Sequence, residues 1–496
     1  MKTFNTLTEQ IAKKFLVLLF TVVFCVGLFI KPMYNFDDSP YFESTKLMDI
    51  IMLMGVSVIF GIVFYFRETI QKYLKTIHIL VLFVIIALLY IYLVPLKPFS
   101  DMLHIYETAK DFATFHWDNI GKNEYWTEFP SNIRVGIFWG ILLIPFPKTL
   151  WTMKILNAVF IFAICYLTGK ICKELGMKYY NIVFLGMVCY IPLILYINHA
   201  YYDMPLVFLS IAALYIYKKK QSLLISAVLL CIATYLRSTG LIFLIAIGID
   251  YIIKKYQKNI ENKQVIKSII VVILTFSVVY ATGKTTGSFV KNTFISEQYP
   301  SYSVWNFYYI GMNESEFGFM DNDFDLNRKP EELINRLEDY GPYRIAKIYA
   351  KKIEWTWMQG TYQAQRYGLG PDVQETQEKF EYDTVLTGHL LNDNQLLRRA
   401  LNAFMRAQYI IFFFLMLITL WKQKNIDDLR IIYYILFGTV FILIFWEMKS
   451  RYIIHCLPVI AILACKGMEY LEAEKIRSWI ERVKTIIYNN KNMTNL

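Results

Sequence analysis

Runs of about 20 apolar residues recur from one end of the chain to the other. That pattern marks a polytopic helical membrane protein, because a soluble core shows shorter apolar runs cut by polar faces. The composition agrees, with 56% hydrophobic and only 18% charged residues. A net charge of +11 could fit a nucleic-acid partner. The Lys and Arg residues cluster instead in short loops between apolar runs, which is the positive-inside pattern, so no nucleic acid is expected. The Cys residues show no paired spacing: Cys25, Cys165, Cys189, Cys231, Cys456 and Cys465 lie in apolar runs and Cys172 in a basic loop. A disulfide framework or a zinc site is therefore not expected. The first run, Phe15–Ile30, has a basic lead but no small-residue cleavage site, and reads as a retained helix.

Charge then sets the expected topology. Lys2, Lys13 and Lys14 put the N-terminus inside. Spans follow at about Leu47–Phe66 and Thr76–Leu96, and the second delivers Asp101 to the outer face. The segment Ile133–Pro147 is short for a span, and such lengths mark re-entrant or interfacial helices. Keeping it on the outer surface lets Trp151–Gly169 run inward and leaves Lys170, Lys173 and Lys178 inside. Alternation continues through Tyr179–Asn198, Met204–Tyr217, Leu223–Leu236, Leu241–Ile253 and Ile269–Thr282, and ends with Phe404–Trp421, Ile431–Trp446 and Tyr452–Lys466. The expected fold is thus all-α and polytopic, with about twelve transmembrane helices and both ends inside. Residues 1–283 form a transmembrane module with an outer loop at 97–148. Residues 284–402 form a small, mixed or mostly helical extracytoplasmic domain, with helical spacing over Glu331–Trp357. Residues 403–467 carry the last helices, and 468–496 read as a cytoplasmic amphipathic tail lying on anionic lipid.

This topology gathers polar groups at one membrane surface: Asp101 and His104, Glu128 and Arg134, His199 and Asp203, Arg237, and Glu447, Lys449 and Arg451. Singly, each has a bland role. The Asp–His pairs at i,i+3 and i,i+4 could be helix-surface pairs worth a few tenths of a kcal/mol, and the arginines could snorkel to headgroups. Together they fit one reaction. A lipid-phosphate sugar would sit with its lipid between helices, its leaving phosphate on Arg, whose planar fork suits it best. A carboxylate would take the proton of the attacking hydroxyl. Arg451 is expected to be oriented by Glu447, one turn earlier.

Several short motifs add to this reading: Pro98-Phe-Ser-Asp101, Phe129-Pro130-x-Asn132-x-x-x-Gly136, Asp203-Met-Pro205, Gly311-Met-Asn313 with Gly318 and Asp321, and Glu447-Met-Lys-Ser-Arg451-Tyr452 with Pro458. In order and spacing the chain resembles the C-superfamily (GT-C) glycosyltransferases, most like bacterial relatives of protein O-mannosyltransferases and the lipid A aminoarabinose transferase. The resemblance implies an inverting transfer from a polyprenyl-phosphate sugar to a glycan, lipid or protein hydroxyl on the outer face of the cell membrane. It also implies Asp101 as base, Asp203 supporting the acceptor or the site's geometry, and Arg451 with Glu447 near the donor phosphate. No metal or other cofactor is expected. Met102 departs from the Asp-Glu pair that many relatives carry, and two spans rather than one precede the motif helix. A surface polysaccharide polymerase or ligase is the alternative. A transporter fits less well, since no internal repeat is visible and the ionisable groups lie at the outer edge.

Overall fold

A computed structural model of the chain describes residues 2–34, 40–120, 122, 125–257, 262–294, 303–319, 325 and 328–471. The protein is an all-α, membrane-embedded bundle. Among the described residues seven helices are long and apolar enough to cross a bilayer, and a bent pair would make an eighth. The other four expected spans are also helices, Asp203–Lys220, Leu223–Leu236, Gly240–Gln257 and Arg430–Leu443. Two of them are only 14 residues long, and the other two carry charges such as Asp203, Asp250 and Lys254. Burial separates lipid-facing from core helices. Only 17% of the most apolar window of Leu47–Tyr65 is buried in protein, against 89% for Ser450–Tyr470.

The bent pair, Tyr180–Val188 and Ile191–Asn198, turns by 49°. Pro192 in the first turn of the second helix explains the break, because proline lacks the N–H that would continue the ladder. The groups freed at the bend still need partners inside a membrane. Gln408 supplies both: its Oε1 accepts from the Ile191 N–H at 3.0 Å, and its Nε2 donates to the Cys189 carbonyl at 2.9 Å.

The structure adds one detail and changes two. The loop after the first helix, for which no secondary structure was expected or excluded, contains an antiparallel strand pair, Ile30–Tyr34 and Pro40–Ser44. Its Lys31 pairs with Glu43 at 3.1 Å and with Asp49 at 2.9 Å. The helix expected to stop at Thr282 continues to Phe294. The Pro330–Met358 helix covers the expected Glu331–Trp357 segment, but kinks where Gly341 takes φ +63° before Pro342. Of the expected 468–496 amphipathic tail, residues 472–496 lie outside the described residues, as does Asp321, while 468–470 belong to the last helix, Leu457–Tyr470.

The polar stretch after Asp101 is itself ordered as an amphipathic helix, Asp101–Ala113. It packs against Ile133–Leu143, whose 11 residues reach about 16 Å, well short of the hydrocarbon core. Two glycines allow the close approach. A Cβ on Gly136 would lie 2.6 Å from Thr108 Cγ2, and one on Gly140 would lie 2.7 Å from Phe112 Cβ. Gly140→Leu should therefore overpack this contact and cost about 1–3 kcal/mol, seen as a lower Tm in detergent. Gly55→Leu, at an open helix surface, is the matched control and should leave Tm unchanged. Equal Tm values for the two variants would count against the packing.

Candidate active site

Asp101 owes its position to a pinned segment. Beyond the Thr76–Leu93 helix the chain is gripped from three sides. Asn198 Nδ2 donates to the Val94 carbonyl at 3.0 Å, and Lys154 Nζ to the Leu96 carbonyl at 2.8 Å. Leu96 also faces Phe380 in an antiparallel bridge, flanked by Lys97 N–H to Lys379 O and Glu381 N–H to Pro95 O, both 2.9 Å. Ser100 then takes φ +50°, a strained conformation for a residue with a side chain. Asp101 follows as the first residue of its helix, where the exposed N–H groups favour a negative charge.

The carboxylate opens on a cleft of about 660 Å³ at this end of the bundle. Phenols surround it. The Tyr201 hydroxyl donates to Asp101 Oδ2 at 3.3 Å, and the Tyr125 hydroxyl faces the same group while accepting from Asn132 Nδ2 at 2.8 Å. Burial first, and then the Asp101 charge, push both phenols above their ordinary range, so they stay protonated as donors. Trp139 Nε1 donates to the Tyr201 carbonyl at 2.9 Å, which ties the short interfacial helix to this wall.

The rest of the charged lining is mostly positive. Arg134, Arg237, Arg366, Lys449 and Arg451 line the cleft, against two carboxylates, Asp101 and Glu447. Arg451 sits 4.5 Å from the Tyr367 ring centre and 5.4 Å from that of Tyr201, and reaches the Tyr202 hydroxyl at 3.4 Å. Arg237 lies between Tyr452, at 4.1 Å, and Tyr202, at 4.6 Å. Aromatic faces hold these guanidiniums without neutralising them.

Glu447 does not orient Arg451. It pairs with Lys449 at 2.6 Å and accepts from the Tyr452 hydroxyl at 2.8 Å. The reason is backbone shape: Lys449 is extended and a 3₁₀ stretch, Ser450–Cys456, follows, so the i,i+4 relation of an α-helix is absent. Burial would raise the Glu447 carboxyl, but Lys449 and Tyr452 outweigh it and hold it below its ordinary value.

The remaining expected residues stand off the cleft surface. His199 and Asp203 are 2% and 3% exposed and meet at 3.5 Å beneath its floor. Asn157 fixes their loop by donating to the carbonyls of Tyr196 at 2.7 Å and His199 at 3.1 Å. The His199 ring packs on Tyr367 at 4.4 Å, the ring that carries Arg451 on another side. Burial holds the imidazole below its ordinary value, against the opposing pull of Asp203. His104 stacks on Tyr125 at 4.4 Å and so braces that phenol. Glu128 ends a short helical turn, Tyr125–Glu128, but its side chain lies outside the described residues.

Sequence reasoning missed Tyr125, Tyr201 and Tyr367 among many aromatic residues, although Tyr201 and Tyr202 directly precede Asp203. It also missed Lys352. This buried side chain donates to the carbonyls of Gly311 at 2.7 Å, Ile444 at 2.9 Å and Trp446 at 2.6 Å. An ammonium has three hydrogens and here has three acceptors. The bracket joins the outer insertion to the loop that presents Glu447 and Lys449. Gly311 is needed beside it, since a Cβ there would lie 2.8 Å from the Trp446 backbone.

No known protein family, curated protein or solved structure matches this chain.

Two outcomes follow from this geometry. Lys352→Met leaves buried carbonyls without donors and should cost about 3 kcal/mol or more, read as a lowered Tm. Burial makes His199 harder to protonate in the folded protein, so the unfolded chain takes up its proton first on acidification. Stability should then fall as pH drops below 6.5, the ordinary histidine value. In His199→Gln that part of the slope should vanish; parallel Tm–pH curves for the two proteins would remove His199 as its source.

Proposed function

We propose that the protein is a membrane glycosyltransferase of the GT-C type. It moves a sugar from a polyprenyl-phosphate donor to an acceptor hydroxyl at the outer face of the cell membrane, with inversion. The observation that carries this reading is the charge set of one cleft: a carboxylate that accepts from a phenol, and an excess of guanidinium and ammonium groups lining the same cavity.

In this mechanism Asp101 accepts the proton of the acceptor hydroxyl as its oxygen attacks the anomeric carbon. The bond from that carbon to the phosphate oxygen breaks, and the polyprenyl phosphate leaves with the electron pair. Negative charge grows on the phosphate, and Arg451 and Arg237 stabilise it, with Lys449 nearby. Tyr125 and Tyr201 orient Asp101 by donating to it, which leaves its remaining lone pairs for the acceptor. His199 and Asp203 act from below, by fixing Tyr367 and with it Arg451.

The test uses purified variants with a polyprenyl-phosphate sugar. Asp101→Asn keeps the size and most hydrogen bonds but cannot take a proton, so turnover should fall by about 10²–10⁴-fold while Tm and donor binding hold. Arg451→Lys keeps the charge but loses the planar fork, and should weaken donor use. Near-normal turnover in folded Asp101→Asn would overturn the mechanism and favour the polymerase reading. The sidedness is tested separately with a membrane-impermeant thiol reagent on single-Cys variants of a Cys-free chain. Labelling of a Cys at Glu174 from outside intact cells would reverse the topology.

A further inference from the structure

A second cleft lies at the opposite end of the same bundle. It is bounded by the turn before the Thr76–Leu93 helix and by the last turns of Leu150–Glu174, and has a volume of about 310 Å³. Thr76–Leu93 begins at this cleft and ends near the segment that carries Asp101. Its 18 residues separate the two sites by about 27 Å, close to the thickness of the hydrocarbon core.

Four lysines line the cleft: Lys72, Lys75, Lys170 and Lys173. None forms an ion pair with a described carboxylate. Glu68 is taken by Lys178 at 2.6 Å and Glu469 by Lys466 at 2.7 Å, and Glu174, beside Lys173 at the helix end, makes no ion pair with a described lysine or arginine. Three of the ammonium groups lie against tyrosine rings instead, Lys72 over Tyr73 at 5.2 Å, Lys170 over Tyr166 at 5.1 Å and Lys173 over Tyr180 at 5.5 Å. Beneath them the walls are fixed. Asn181 donates from Nδ2 to the Leu74 carbonyl at 2.9 Å and from its backbone to Gln71 Oε1 at 3.0 Å. Gly169 brings the helices together, since a Cβ there would lie 3.0 Å from Phe184 Cβ. Four lysines lining one cleft, none in an ion pair with a described carboxylate, favour an anion between them.

The surroundings name the kind of anion. From the cleft's edge the Thr76–Leu93 helix exposes a continuous apolar face, with Ile77, Val81 and Leu88 each more than half exposed. A ligand seated among the lysines can lay hydrocarbon along that face. We infer that this cleft binds the phosphate headgroup of an anionic phospholipid, with its acyl chains on the outer side of the Thr76–Leu93 helix. Basic pockets between transmembrane helices take headgroups of this kind. A free phosphate would use the same lysines but not the apolar face.

The experiment follows the purified full chain in neutral detergent by thermal unfolding and by native mass spectrometry. Phosphatidylglycerol, phosphatidylcholine and inorganic phosphate are added at matched concentrations. Phosphatidylglycerol should raise Tm and remain bound, and the other two should not. Lys170→Gln/Lys173→Gln should weaken that binding by roughly five-fold for each lysine removed. Lys170→Arg/Lys173→Arg should retain it, which separates loss of charge from loss of fold. An equal effect of inorganic phosphate would make this a soluble-anion site and overturn the lipid assignment. Unchanged phosphatidylglycerol binding in the Gln variant would place the lipid elsewhere.

Discussion

The carbonyl of Leu96 is the point on which the candidate site hangs. It accepts from a lysine rooted inside another membrane helix, Lys154, and its residue faces Phe380 from the outer insertion. One membrane helix and one outer segment, distant in sequence, thereby fix the exit of the Thr76–Leu93 helix. A free chain end there would let Asp101 move by several ångströms, because each residue spans about 3.5 Å when extended. The pinned exit also explains how Ser100 can hold φ +50°: backbone strain of this kind persists only where the surroundings over-determine it. The lysine itself is tolerated because its ammonium ends on a backbone acceptor, a polar group that would otherwise be stranded at the membrane edge.

The loop that carries Glu447 and Lys449 is held on the same principle with different parts. Lys352 gathers three carbonyls from the outer insertion and from the end of the Arg430–Leu443 helix, and the loop it steadies presents Glu447 and Lys449. Each segment is thus locked by one buried lysine that spends its hydrogens on backbone. Those lysines add rigidity without reaching into the cleft. The charges that do reach in are held by aromatic rings and phenols, contacts that fix direction and leave the charge in place.

This division explains what could be read from the sequence. The helical membrane class was legible, since span-length apolar runs admit few other folds, and so was the short segment 133–147, whose helix is too brief to cross. The polar groups at helix ends were legible because membranes penalise charges elsewhere, and Asp101, Arg134, Arg237, Glu447, Lys449 and Arg451 do share one cleft. Their pairings were not. Glu447 takes Lys449 because the backbone there is extended and then 3₁₀, a local shape that spacing alone does not reveal. The tyrosines escaped for another reason. The chain has 37 of them, and an aromatic residue at a helix end is as ordinary in packing as in a site. The strand pair, Ile30–Tyr34 with Pro40–Ser44, escaped because its two strands are only five residues each.

The cage around Arg451 carries the last step. A buried guanidinium normally pairs with a carboxylate, since an uncompensated charge away from water is costly. Asp203 lies under the same floor and could have served, yet it meets His199, whose ring packs on Tyr367, and Tyr367 in turn contacts the guanidinium. Glu447, the other acid at hand, is occupied by Lys449. Both carboxylates therefore make their close contacts elsewhere, one with a histidine and one with a lysine, and Asp203 acts on Arg451 only through its field. Rings compensate a cation only in part, so the residual charge is available to an anion that enters the cleft. On the proposed reading that anion is the donor phosphate. The His199–Asp203 pair is then best understood through its effect on Tyr367: His199 packs on the ring that also contacts Arg451, and Asp203 makes its close contact with His199.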